Sequence, residues 1–358
     1  MRIVAAAILV SMCSAPLQAA AQDAPASFAP LGDESDNFSV ESVLDSLNHP
    51  AGLALRLGSN QAEPHELFIS ESGAGRVLRI ATDMPRETSE AIAGFSQISY
   101  GEEPALQLGP TALAFLTRTK LVVCGGGQQS TPGLLSVYLL PDDSSAVDAA
   151  KPDHAAGPIH AGDSLTNSKR VFFGVAKTES ALFSTWAGAS EGWILKSGIE
   201  ANRLAYLQPL VTPEQSASLG VPTGLAINPS PRPPFLVVAY RGNFETPRDS
   251  TLAFYRSADA SLVMSLETGL HDISALAYSP TGQLYAADFA KNEEQSGGIY
   301  RLDDAYLAGQ QTCQAVKVAA IPRPTALAFT PAGILYVTAF GASDSESQGA
   351  LIKITGEL

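Results

Sequence analysis

Two acids close strand-like runs of the same form: Glu71 in Leu67-Phe-Ile-Ser-Glu71 and Asp288 in Leu284-Tyr-Ala-Ala-Asp288. Carboxylates held on rigid strand ends suit general acid–base work or the binding of a hard cation. With Asn243 they make an all-oxygen donor set, Glu71, Asn243 and Asp288, better matched to Ca²⁺ than to zinc, since the chain has no His-x-His or paired cysteines. His49 and the pair His271-Asp272 stand just ahead of apolar runs that begin at Pro50 and Ile273. An imidazole there can hold or move a proton near neutral pH. Arg323 and Arg241 add positive charge, and Trp186 and Tyr240 add aromatic surface. The candidate ligand-binding set is therefore His49, Glu71, Trp186, Tyr240, Arg241, His271, Asp272, Asp288 and Arg323. Each acid has a plain alternative, receiving backbone N–H groups in its own turn, and each histidine has one as an exposed turn residue.

The five histidines, His49, His65, His154, His160 and His271, fall in loops. Gly125-Gly-Gly127 follows a strand but lacks the lysine and helix of a phosphate loop. Asn37-Phe-Ser39 matches a glycosylation sequon by sequence alone. Cys124 occupies a column shared with Ser70, Thr185, Ala239, Ala287 and Thr338, so it reads as a small core residue.

What must position these side chains is a six-fold echo of one strand: PAGLAL at Pro50, PTALAF at Pro110, FFGVAK at Phe172, PTGLAI at Pro222, ISALAY at Ile273 and PTALAF at Pro324. Aligned on Leu53, Leu113, Val175, Leu225, Leu276 and Leu327, the units are spaced by 60, 62, 50, 51 and 51 residues. A second strand opening with leucine follows each echo, then a third. Short strands at such a period predict blades of a β-propeller, none able to bury its apolar face alone. Outer strands are expected at Ile92–Ile98, Leu204–Leu210, Leu262–Leu266 and Cys313–Ala319. Blade six has none left before Leu358, so Phe38–Leu44 is expected to close the ring and remove its open edges. The fold class is all-β, a six-bladed β-propeller of four-stranded antiparallel blades, with helical turns only near Ala305 or Pro213.

The chain divides into a secretory signal at 1–21, a flexible leader at 22–37 and the propeller at 38–358. Met1-Arg-Ile gives a positive start, Val4–Val10 an apolar run and Ala19-Ala-Ala21 a small-residue cleavage site. The expected location is secreted or periplasmic, without a membrane span and as a monomer. Cys124 and Cys313 lie on nearly opposite blades, which predicts no disulfide. A net charge of −14, from 22 basic and 36 acidic residues, argues against nucleic acid or an anionic membrane as partner.

LFISESGAGRVLRI in blade one resembles the NHL-repeat pattern, and ALAYSPTGQLYAAD and ALAFTPAGILYVTAF in blades five and six resemble the same unit. That unit occurs in the six-bladed superfamily of NHL proteins, gluconolactonase and regucalcin-like lactonases, strictosidine synthase-like proteins and soluble sugar dehydrogenases. The resemblance runs from about Phe38 onward and implies the fold, whereas function must come from the site. In the lactonase branch a metal-binding Glu stands where this chain has His49, and its later ligands map to Asn243 and Asp288. In the quinone-dependent dehydrogenases a catalytic His is flanked by basic contacts, which His49, Arg241 and Arg323 would imitate. From the residues, the expectation is an exported binding or scaffold propeller that presents its channel mouth to a small molecule or partner protein. The alternative is a Ca²⁺-dependent lactonase-like hydrolase or a quinone-dependent sugar dehydrogenase.

Overall fold

The computed structural model describes residues 28–59, 63–100, 106–125, 134–143, 145–159, 170–229, 234–342 and 347–358. They form six antiparallel sheets set as blades around an axis, the expected six-bladed propeller. From the axis outward, blade one is Pro50–Arg56, Glu66–Glu71, Arg76–Ala81 and Thr88–Ala93, and blade two is Pro110–Thr117, Lys120–Gly125, Leu135–Leu139 and His154–Ala156. Blade three is Val171–Lys177, Ala181–Ala187, Gly192–Glu200 and Arg203–Val211, and blade four is Val221–Ile227, Phe235–Arg241, Thr251–Arg256 and Leu262–Glu267. Blade five is Ile273–Tyr278, Leu284–Asp288, Gly298–Leu307 and Gln310–Ala320; blade six begins Pro324–Phe329, Leu335–Ala339 and Gly349–Thr355.

Blade six takes its outer strand from the other end of the chain. Ser39–Leu47 pairs antiparallel with Gly349–Thr355, Val40 opposite Ile354 and Leu47 opposite Gly349. Val43 and Leu47 bury against Leu53 and Ile69 of blade one, so closing the ring also completes a core. The strand expected at Phe38–Leu44 is present and runs three residues further.

Three expectations need correction. Blade one's outer strand is Thr88–Ala93 rather than Ile92–Ile98, because Gly94 turns the chain away at φ +90. Ala305 lies in a strand rather than a helical turn: Gly298–Leu307 and Gln310–Ala320 form a long ribbon turning at Ala308 and Gly309, both with positive φ as a tight hairpin requires. The leader read as flexible to residue 37 is seated over residues 28–37. Gly32–Asp33 adds a parallel strand to blade five opposite Val316, and Glu34 pairs with Arg301 at 2.9 Å. The signal at 1–21, residues 22–27, Gly126, Gly127 and His160 lie outside the described residues. The helical turn near Pro213 is Pro213–Ser216, capped by Thr212 and Gln215.

Neighbouring blades are joined by hydroxyls that donate to the next inner strand. Ser70 donates to the Thr111 carbonyl at 3.4 Å, Thr185 to Thr223, Thr223 to Ile273, Ser274 to Pro324 at 2.6 Å, and Thr325 to Pro50 at 2.6 Å. Thr223 and Thr325 of the P-T-x-L-A echo make this bond, whereas Thr111 of the same echo donates to the Cys124 carbonyl of its own blade at 3.2 Å. Inner strands approach so closely that a Cβ on Gly52 would lie 2.6 Å from the Thr111 carbonyl oxygen, which only glycine permits. Cys124 and Cys313 are unpaired and buried in separate cores, as expected. Among the described residues no helix is long and apolar enough to cross a membrane.

Candidate functional site at the channel mouth

Loops entering each inner strand and leaving each second strand meet at one end of the ring. Blades one, five and six build this end alike. The residue after the second strand donates its N–H to the carbonyl ahead of the inner strand: Ser72 to His49 at 3.1 Å, Phe289 to Asp272 at 3.0 Å and Phe340 to Arg323 at 3.0 Å. His49 and Arg323, at equivalent positions of adjacent blades, both adopt the left-handed conformation, φ 46 and 50. Non-glycine residues held there carry local strain of a kind that clusters at functional sites.

The acids turn into their own blades. Glu71 is buried; its Oε1 accepts the Asn48 N–H at 2.8 Å and its Oε2 the Arg76 Nε–H at 2.6 Å. Asp288, fully buried, accepts the His271 N–H at 3.0 Å and the Asp272 N–H at 2.7 Å. Each therefore clamps the loop that leads into the inner strand beside it. Burial pushes the Asp288 carboxyl up to about 6; the two N–H bonds and nearby His271 pull against this, and Asp272 adds to it. Asp272 is also buried and raised by desolvation, against the opposing pull of the Lys291 N–H bonded to its Oδ2 at 2.8 Å and of the Arg241 charge.

The expected pairing of Glu71 with Asp288 is not made: both oxygens of each acid are engaged within its own loop. Asn243, on the exposed loop after blade four's second strand, uses its side chain to accept the Glu245 N–H at 3.1 Å. Among the described residues no cluster of three or more His, Cys, Asp or Glu side chains is placed to hold a metal.

Trp186 and Tyr240 are corrected from ligand contacts to core. Trp186 packs 5.5 Å from Trp193 and 6.4 Å from Phe172 between blades two and three, and the Tyr240 hydroxyl lies 2.7 Å from that of Tyr255. The reason is geometric. Blades stand radially, so a second-strand side chain of either parity meets a neighbouring blade, and only inner-strand ends and loops face the axis.

Two groups of side chains do gather at the mouth. On one side His49 lies edge-on to Phe340 at 5.1 Å, and Phe340 to Phe289 at 5.7 Å. His49 is only 6% exposed, and its Nε2 has no hydrogen-bond partner among the described residues. On the other side Arg241 sits 4.2 Å from the Phe244 ring, with Lys291 4.7 Å from the same ring. Tyr100 reaches Arg241 and also packs 6.1 Å from Phe173, whose strand lines the channel. Burial raises the Tyr100 phenol, and the Arg241 charge pulls it back.

Sequence reasoning passed over Tyr100, Phe244 and Lys291. For Tyr100 a signal existed in the 60-residue first spacing: the excess over 50 contains the hairpin Ile98–Tyr100 and Leu106–Leu108 that carries it. The space between the six inner strands is only about 60 Å³, too small for a sugar. Two wider clefts of about 560 and 600 Å³ open at the opposite end, among the turn residues Pro280, Thr281 and Pro331. The first is lined by Tyr285, Arg301 and Glu357, and its Arg301 is already paired with Glu34 and Asp303.

No protein-family model and no curated protein sequence matches the chain. Solved structures do. A luciferin-regenerating enzyme superposes with a TM-score of 0.57 at 14% identity, covering 89% of this chain and 95% of that one. A gluconolactonase from Xanthomonas campestris gives 0.56 at 13% identity, covering 93% and 96%, and the PQQ-bound aldose sugar dehydrogenase of Streptomyces coelicolor gives 0.56 at 14%, covering 93% and 100%. The fold is that of the gluconolactonase and sugar dehydrogenase propellers. At these identities the likeness establishes architecture, and activity has to be argued from the mouth.

Proposed function

We propose that this propeller takes a small polar molecule at its channel mouth and converts it, as the lactonase and sugar dehydrogenase propellers of the same fold do, and that it works as an exported protein. The observation that carries the reading is His49: a buried imidazole in a strained backbone conformation, braced on Phe340, with a ring nitrogen that no group among the described residues satisfies. A buried polar atom left unpaired is costly, and a substrate hydroxyl or carbonyl is the kind of group that removes that cost. His49 would hold or move the proton, while Phe340 and Phe289 face the apolar side of the substrate.

The cofactors of the alternative reading fit less well. Glu71, Asn243 and Asp288 are not assembled for Ca²⁺, because the carboxylate oxygens are already bonded to backbone N–H groups and Arg76. For a quinone, His49 belongs to the Phe340 group whereas Arg241 belongs to the Phe244 group, so the imagined His–Arg contact set is split between two sides of the mouth. The same engaged donors support a second reading, a recognition propeller that binds without turnover.

The test is proton release from sugar lactones and dye-linked oxidation of aldoses, with and without added Ca²⁺ or quinone, using the intact protein and His49→Gln. Turnover that His49→Gln reduces at an unchanged melting temperature supports conversion. Ligand-induced stabilisation without turnover supports recognition alone, and neither response would remove the small-molecule reading.

A further inference from the structure

Three arginines are buried among the described residues. Arg56 and Arg170, each 7% exposed, both meet a carboxylate at 2.5 Å, Glu66 and Glu191. Arg241 is more buried, 4% exposed, and no carboxylate of the described residues lies within 4.0 Å of it. Its Nη2 donates to the Gly188 and Ala189 carbonyl oxygens at 3.2 and 2.9 Å, which satisfies geometry but supplies no counter-charge. In a chain carrying 36 acids against 22 bases, a buried guanidinium that no described acid meets is out of keeping with its surroundings. A buried charge without a counter-charge is strongly destabilising.

The described acids of the neighbouring loops do not offset it. Asp272 acts on Arg241 at a distance, is bonded instead to the Lys291 N–H, and is itself driven toward the neutral form by burial. Asp249 is turned to the Asn243 N–H at 2.9 Å. Meanwhile the Lys291 ammonium, exposed and also without an acid partner among the described residues, shares the Phe244 ring with Arg241. Two cations thus flank one aromatic ring, and Tyr100 links Arg241 to the channel-lining Phe173.

We propose that the molecule taken at the mouth is an anion, a small carboxylate whose acid group is received by Arg241 and Lys291 while its body lies against the mouth aromatics. The inference rests on the small-molecule reading above and makes it specific: the preferred ligand carries a negative charge, unlike a neutral sugar or lactone. A guanidinium beside an ammonium offers a carboxylate charge-assisted hydrogen bonds in a water-poor setting, where they are strongest.

The experiment is a melting-temperature and calorimetric comparison of matched pairs on the intact protein: gluconate against glucose, and benzoate against benzamide. Stabilisation by the carboxylate of at least one pair and not by its neutral match is expected. Lys291→Glu, an exposed change that should leave the melt of the free protein in place, should weaken that binding by about tenfold or more, and Arg241→Gln further. Equal or stronger binding of the neutral members, or carboxylate binding untouched by Lys291→Glu, overturns the anion inference while leaving a small-molecule mouth standing. No response to any of the four probes overturns both.

Discussion

The Thr325 hydroxyl donates to the Pro50 carbonyl oxygen at 2.6 Å, joining residues 275 positions apart across the seam between the last blade and the first. The same hydroxyl lies 2.9 Å from that of Thr338, so it ties the seam to the second strand of its own blade. Thr325→Val keeps the shape and removes the donor, leaving the Pro50 carbonyl unsatisfied at a junction with little water. The expected loss is about 1–2 kcal/mol in urea unfolding, with an unchanged m-value. A neutral result would show that the seam is held by the Ser39–Leu47 strand alone.

Asp288 sets a pH dependence. Its carboxyl titrates near 6 in the fold because burial disfavours the charge, against about 4 in an unfolded chain. A folded pKa above the unfolded one means that stability from this group is fully present below about pH 4 and is lost as pH rises through about 6. Thermal melts of the native protein and Asp288→Asn across pH 4 to 7 should differ in slope, the native protein losing relative stability over that window. Parallel profiles would place the titration elsewhere.

Glu71 and Arg76 act as a unit that holds the loop ahead of blade one. Glu71→Gln should destabilise by about 1–3 kcal/mol, since it disturbs a buried acceptor of the Asn48 N–H as well as the ion pair. Arg76→Ala should cost less, because Arg76 is 37% exposed and solvent screens its charge. A double-mutant cycle should give a coupling clearly above zero; additive losses would mean that Glu71 works through the backbone bond alone.

Cys124 and Cys313 are inert in the native state. Burial raises both thiols, Cys313 to about 12, so the reactive thiolate is scarce and inaccessible. A thiol reagent should label neither in buffer and both in denaturant. Rapid native labelling of Cys313 would mean that blade five's outer ribbon opens readily.

The sequence alone determined the ring. Six leucine-headed strands at a near-constant spacing have one way to bury their faces, and the missing strand of blade six had to come from the residues ahead of Pro50, so the closing role of the segment around Val40 and Leu44 follows from the repeat itself. The loop alignment also placed His49, Asp272 and Arg323 at equivalent positions of three blades. What it left undecided was where side chains point. Strand parity made Trp186, Tyr240, Glu71 and Asp288 look alike, and only the radial stacking of blades turned the aromatics into core and the acids onto their own loops. The company of Arg241 depended on three segments remote in sequence: the Tyr100 hairpin, the Gly188–Ala189 turn and the Phe244 loop. That no described carboxylate meets this guanidinium is a fact of three-dimensional placement, and no spacing rule along one chain carries that information.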